Sequence, residues 1–92
     1  MEKEFRYSQK VVFVEGDEMR ISGGPYYQDH AGIKHCMGVK GIHFFSHVDD
    51  KGHLWVRNKR GALSMVYMGE EKRSEATGTY MKPHELTKKR NK

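Results

Sequence analysis

The chain of 92 residues contains one cysteine, two prolines and no long hydrophobic run. With Cys36 alone it has no intramolecular disulfide, which suits a reducing compartment. The aliphatic and aromatic run at residues 11–14 is too short to cross a bilayer, and the charged N-terminus leads into no segment of signal length. These absences argue against a disulfide-stapled secreted domain and a helical membrane protein, and they predict a cytoplasmic location.

Glycine and aromatic residues are present in number, with ten glycines and 11% aromatic side chains. Glycine punctuation between short runs of valine, isoleucine, phenylalanine and tyrosine favours an all-β chain of short strands. The length suits a single small domain. We expect a flexible N-terminal arm over residues 1–9, a barrel domain over residues 10–87 and a basic tail over residues 88–92. Five to six short antiparallel strands with tight turns predict a small, strongly bent sheet or partly open barrel.

The stretch over residues 16–27 organises the predicted fold. A turn at Gly16 precedes a short strand on which Met19 and Ile21 share one face. Two glycines and Pro25 then end the strand. Near the C-terminus, Pro83 begins a predicted helical or 3₁₀ turn.

The clearest predicted element is a hairpin, with strands at residues 42–48 and 53–57 joined by a turn. Strict alternation places Ile42, Phe44 and Val48 on one face of the first strand. The outward face of the hairpin is then predicted to carry His43, Phe45, His47, His53, Trp55 and Arg57. The neighbouring turns add Lys51, Lys59 and Arg60 to a basic rim, and Tyr27 is expected to border the same surface.

Aromatic rings, imidazoles and cations on one face are typical of a surface that binds single-stranded nucleic acid. Flat rings stack on bases, and cations meet phosphates. The same pattern is also typical of a second small core in which Phe45 and Trp55 are covered, or of packing under the segment from Tyr27 to Met37. If the face binds nucleic acid, Trp55→Ala weakens binding without unfolding the domain.

The stretch over residues 16–27 resembles the KOW motif of the SH3-like barrels in NusG-type transcription factors and ribosomal proteins. The resemblance rests on a hydrophobic residue before Gly16-Asp17, the alternation through Met19 and Ile21, Gly24-Pro25-Tyr26, and the later Gly38-Val39-Lys40-Gly41-Ile42. Residues 27–37 stand where the motif has a short loop, so a loop or hairpin insertion is expected there. The resemblance implies an SH3-like, KOW-like barrel that binds RNA or protein, and no enzymatic activity.

Charge is uneven along the chain, whose formal net charge is +5. The first third is net acidic, and the later two-thirds carry the positive charge. A polyanion such as RNA is a natural partner for this asymmetry, and a basic surface that only aids solubility is the alternative. The tail over residues 88–92 is likewise interpreted as an electrostatic tether to phosphates or as a solvated terminus.

Histidine is frequent, with six residues, yet the spacing does not favour a metal site. On a strand, His43 and His47 are about 13 Å apart and do not share one ion. His35 and Cys36 point to opposite faces of an extended segment, and no Cys-x-x-Cys pair exists. The favoured interpretation is that the histidines lie on the surface and lose their positive charge as pH rises, which would weaken binding. We therefore predict no metal, no cofactor and no catalytic residues.

Taken together, these features predict a non-enzymatic binding module for nucleic acid, with RNA favoured. The alternative is a protein-interaction module that acts on the transcription or translation machinery or inhibits a host protein. A metal-dependent enzyme is the third and least favoured hypothesis.

Overall fold

The computed structural model describes residues 1–89, which form eleven strands in three antiparallel sheets with no helix in that range. The strands are β1 (Glu4–Arg6), β2 (Val12–Val14), β3 (Glu18–Gly23), β4 (Tyr26–Gln28), β5 (Lys34–Cys36), β6 (Gly41–Val48), β7 (Leu54–Arg57), β8 (Leu63–Val66), β9 (Lys72–Ser74), β10 (Thr79–Met81) and β11 (His84–Lys88). The prediction of an all-β chain is confirmed.

A five-stranded sheet in the order β11-β3-β6-β7-β8 carries most of the hydrophobic core. Met19 and Ile21 of β3 are both buried, as their alternation predicts. The core is completed by Phe13, Phe45, Leu54, Val56, Val66 and Leu86. One face of this sheet is thus covered, and its other face is available to solvent.

The N-terminal segment forms a two-stranded sheet of β1 and β2 that covers the core. Phe13 of β2 is fully buried, and Phe5, Tyr7 and Val11 pack against the core. The backbone N–H of Leu86 donates to the Tyr7 hydroxyl at 3.3 Å. Residues 1–9, expected to be a flexible arm, therefore contain a paired strand and core contacts.

A β-bulge in β6 changes which side chains face the core. The register of β6 against β7 shifts between Phe45 and His47, so one extra residue of β6 is accommodated there. Before the bulge, His43 and Phe45 are buried, and Phe44 is only half-buried. The prediction that His43 and Phe45 lie on the outward face was wrong, because an inserted residue reverses the alternation.

A four-stranded sheet in the order β5-β4-β10-β9 contributes no residue to the buried core. Its hairpin of β4 and β5 occupies the stretch from Tyr27 to Met37, where we expected an inserted loop or hairpin. Its strand β9 lies within the polar residues 69–78, which have no apolar alternation that would indicate a strand. Packing in the core therefore does not explain the side chains that this sheet carries.

Within residues 1–89, hydrogen bonds between His84 and Tyr67 connect the two edges of the five-stranded sheet. The backbone N–H of His84 donates to the Tyr67 carbonyl at 2.9 Å, and the Tyr67 N–H donates to His84 Nδ1 at 3.1 Å. No strand ladder joins β8 to β11 within residues 1–89, so the predicted barrel is not closed.

The predicted helical turn after Pro83 is also wrong, because His84–Lys88 pairs with β3 over five residues. Lys88 forms an ion pair with Asp17 at 3.0 Å, and Lys89 forms one with Glu18 at 3.2 Å. The first two residues of the predicted basic tail are thus paired with acidic side chains. Residues 90–92 of that tail lie outside the described residues.

Candidate nucleic-acid interface

The outward face of the β6–β7 hairpin carries a cluster around Asp49. The rings of His47 and Trp55 lie nearly parallel, with centroids 6.2 Å apart and planes 12° apart. Trp55 Nε1–H donates to Asp49 Oδ2 at 2.8 Å, and His53 Nδ1 lies 3.5 Å from the same oxygen. Asp49 Oδ1 accepts the backbone N–H groups of Lys51 and His53. The carboxylate therefore fixes both the turn and the indole.

These contacts favour the charged form of Asp49. The hydrogen bond from Trp55, followed by that from the His53 backbone, lowers the pKa of Asp49 to about 2. A carboxylate with a depressed pKa stabilises the fold fully above its unfolded pKa, near 4, and that contribution is lost as pH falls through the folded pKa.

We therefore expect Trp55, the sole tryptophan, to report the titration of Asp49. Its emission should change as pH falls through about 2, because protonation weakens the hydrogen bond to the indole. Asp49→Ala should abolish this transition. Asp50→Ala, which removes the neighbouring carboxylate that pairs with the N-terminal amine, should retain it. An unchanged acid transition in Asp49→Ala would contradict the assignment.

The predicted cations on this hairpin are exposed but are spread along it. Arg57 donates to the Gly61 carbonyl at 2.8 Å. Lys51 lies in the turn before β7, whereas Lys59 and Arg60 lie in the turn after it. On the same face, Met65 lies opposite Trp55 and Leu63 lies opposite Arg57. The surface is thus partly apolar, with cations at its two ends.

Tyr27 does not lie on this hairpin, because it belongs to β4 of the four-stranded sheet. Its ring stacks on His35 with centroids 4.7 Å apart and planes 13° apart. His35 Nε2 contacts Asp29 Oδ2 at 2.8 Å, and this hydrogen bond lowers the pKa of Asp29. Of the predicted binding residues, the structure therefore brings His47, His53, Trp55 and Arg57 to one face and places Tyr27 on another sheet.

The four-stranded sheet carries two adjacent aromatic rings flanked by two cations, a group that crosses its strands and is here called the tyrosine row: Lys34, Tyr26, Tyr80 and Arg73. Tyr26 and Tyr80 are directly paired, and their rings meet edge to face at 5.3 Å. The Lys34 ammonium lies 5.0 Å from the Tyr26 centroid, and the Arg73 guanidinium lies 4.7 Å from the Tyr80 centroid. Each ring of the row thus has its own cation.

A cavity of about 310 Å³ opens on the same face of the sheet. Its lining includes Tyr26, Tyr80, Gln28 and Arg73. The Tyr80 hydroxyl donates to Glu71, and this hydrogen bond raises the pKa of Tyr80. The hollow combines aromatic surface, an amide and a guanidinium, which are the groups that hold a nucleobase and a phosphate.

Sequence reasoning missed the tyrosine row because Arg73 lies in a polar segment, residues 69–78, that has no apolar alternation to indicate a strand. The signal was present in the turn residues 75–78, which separate β9 from β10 as a hairpin loop does. Two polar strands around such a turn predict a hairpin. Their alignment with Tyr26 depends on the pairing of β10 with β4, more than 50 residues apart in the chain.

Within residues 1–89, no group of three or more His, Cys, Asp or Glu side chains has the arrangement of a metal site. Cys36 is exposed and unpaired with another cysteine. No helix among the described residues has the length and apolar character to span a bilayer.

No protein-family model, no curated protein and no solved structure matched the chain.

Proposed function

We propose that this chain is a non-enzymatic module that binds single-stranded nucleic acid, with RNA favoured. The observation that carries the proposal is the tyrosine row, which presents two aromatic rings with a cation over each. Stacking of a base on an aromatic ring contributes about 1–3 kcal/mol, and it tolerates any sequence. Lys34 and Arg73 are exposed and lie over the rings, so they are available to the phosphates of a bound nucleic-acid strand.

The absence of a core beneath this sheet supports the proposal. All eight buried hydrophobic residues of the described chain belong to β2 or to the five-stranded sheet. Packing therefore gives no reason for β4 and β10 to place Tyr26 and Tyr80 side by side. Binding of an unstacked base gives such a reason, because aromatic rings on a sheet surface are a recurrent RNA-binding arrangement.

The hairpin face supplies a second contact area for the bound nucleic-acid strand. His47 and Trp55 form a stacked pair at the surface, with His53 and Arg57 beside them. The exposed cations of the adjoining turns are Lys51, Lys59 and Arg60. Tyr27 contributes from the other face of the four-stranded sheet. In this proposal His43 and Phe45 support the surface from the core.

The strand order supports an SH3-like origin for the five-stranded sheet. Its strands follow one another along the chain as β3, β6, β7 and β8, and the last strand, β11, returns beside β3. The KOW-like stretch forms β3 and the turns around it. We interpret the sheet as an open variant of such a barrel, in which His84 and Tyr67 mark the incomplete closure.

Titration of a fluorescent single-stranded RNA at two salt concentrations tests this function. Lys34→Gln combined with Arg73→Gln should weaken binding about tenfold and reduce the log–log salt slope by about 1.4, since each phosphate contact contributes about 0.7. The control pair Arg6→Gln and Lys10→Gln removes the same charge from the N-terminal segment and should leave the slope unchanged. A DNA strand of the same sequence should bind more weakly if the 2′-hydroxyl is contacted.

Trp55→Ala in the same titration tests the hairpin face independently of the tyrosine row. It should weaken binding, because it removes the half-buried ring that stacks on His47, and it should leave the fold intact. If the control pair Arg6→Gln and Lys10→Gln lost as much affinity as the variant without Lys34 and Arg73, the effect would come from net charge and not from the tyrosine row. Absence of RNA binding by the parent protein would overturn the proposal and leave the protein-interaction module as the remaining candidate.

A further inference from the structure

Strand β8 is an edge of the five-stranded sheet and lacks the features that normally protect such an edge. Residues 61–69 contain no charged residue and no proline, although 32% of the chain is charged. Lysine, proline and bulges are the usual protections of edge strands. Leu63 and Met65 are 43% and 44% exposed on its outward face.

The hydrogen-bond pattern shows which backbone groups of β8 point away from the sheet. The Asn58 N–H donates to the Ala62 carbonyl, so Asn58 and Ala62 form a hydrogen-bonded pair. Hydrogen-bonded pairs alternate along an antiparallel ladder, so on β8 the next residues bonded to β7 are Ser64 and Val66. The N–H and C=O groups of Leu63 and Met65 therefore point outward. Among residues 1–89 no strand is paired with β8 on that side, and the contact with β11 is made by Tyr67, after the end of β8, through His84.

We infer that β8 is a self-association strand that pairs antiparallel with β8 of a second copy of this chain. A two-fold axis at Ser64 places Leu63 of each copy opposite Met65 of the other. Both residues have outward-pointing backbone groups, so this register forms four inter-chain hydrogen bonds. Two isologous strands then join the sheets into one ten-stranded sheet, with apolar side chains adjacent across the axis.

The charges that flank β8 are complementary to those that flank an antiparallel copy of the same strand. This favours a second copy of the chain over another binding partner. Lys59 and Arg60 precede the uncharged stretch, and Glu70 and Glu71 follow it. In an antiparallel pair, the basic end of each strand lies at the acidic end of the other. An apolar hollow of about 340 Å³, lined by Leu54, Met65, Val66 and Met68 among others, lies along the same strand and can accept a side chain from the second copy.

Sedimentation equilibrium over concentrations from about 10 μM to 1 mM tests the inference, because a short interface of this kind is expected to be weak. The parent chain should follow a monomer–dimer equilibrium. Met65→Lys should raise the dissociation constant at least about tenfold by placing a charge on the edge. Met37→Lys adds the same charge at a methionine of similar exposure, 39%, and should leave the dissociation constant nearly unchanged.

Hydrogen exchange of the backbone amides gives a second measurement, which a change in charge alone would not affect. The amides of Leu63 and Met65 should become protected as concentration rises, whereas those of Ser64 and Val66 should already be protected in the monomer. A parent chain that stays monomeric to about 1 mM, or assembles without limit instead of stopping at dimers, would overturn the inference. Equal effects of Met65→Lys and Met37→Lys would also overturn it. These outcomes are independent of RNA binding.

Discussion

Phe45→Ala is expected to lower the free energy of unfolding by about 3–5 kcal/mol, the range for truncation of a buried phenylalanine. Phe45 is 1% exposed and lies in the core between β3 and β7. The adjacent Phe44→Ala removes the same atoms from a half-buried site, so we expect a loss of only about 1 kcal/mol. Urea denaturation followed by Trp55 fluorescence and circular dichroism measures both.

The pair of variants tests the bulge itself. A regular β6 would place Phe44 in the core and Phe45 outside, and the order of the two losses would then be reversed. A domain of this size has a stability of about 5–14 kcal/mol, so Phe45→Ala could leave little folded protein. Phe45→Leu keeps most of the apolar volume and gives a smaller, measurable loss. A greater effect of Phe44→Leu than of Phe45→Leu would contradict the observed register.

The two phenylalanines also show where sequence reasoning about the fold reaches its limit. Alternation correctly placed Met19 and Ile21 in the core, because β3 is regular there. In β6 the adjacent Phe44 and Phe45 fit either face equally well. Only the position of one extra residue decides between them, and the bulge arises from pairing with β7 rather than from the local pattern. The predicted outward face was therefore right for His47, His53, Trp55 and Arg57, and wrong for His43 and Phe45.

The C-terminal strand shows the same limit at longer range. Pro83 followed by three residues with a single apolar anchor is a normal start for a helical turn. In the folded chain, Leu86 instead pairs with Ile21 and enters the core. This pairing joins segments 65 residues apart, and local propensity does not predict it. The tyrosine row was missed for the same reason, since strand pairing assembles it.

Gly24→Ala is expected to lower the free energy of unfolding by about 2–5 kcal/mol. Gly24 has φ +88°, a conformation that costs an L residue about 1–2 kcal/mol. A Cβ at this position would lie 2.4 Å from the ring of His84, which is buried, so the ring must shift within a packed environment. Overpacking of this kind adds about 1–3 kcal/mol. The ring it displaces joins β11 to Tyr67 at the end of β8.

Gly52→Ala is the matched control, because Gly52 has φ +85° and nothing within 4 Å of an added Cβ. It should lose only the backbone contribution of about 1–2 kcal/mol. The difference between the two variants measures the contact with His84. Thermal denaturation of both proteins gives this difference directly, since about 1 kcal/mol shifts the melting temperature of a small domain by roughly 4–8 °C.

A double-mutant cycle with His84→Ala then assigns the loss to the ring. His84→Ala alone should destabilise the fold, because it removes a buried side chain and the acceptor of the Tyr67 N–H. In combination with Gly24→Ala, the total loss should be smaller than the sum of the two single losses, because the clash has no partner once the ring is gone. Additive losses, or equal losses in Gly24→Ala and Gly52→Ala, would show that Gly24 does not determine the position of His84. The meeting of the two sheet edges would then depend on the backbone hydrogen bond between His84 and Tyr67 alone.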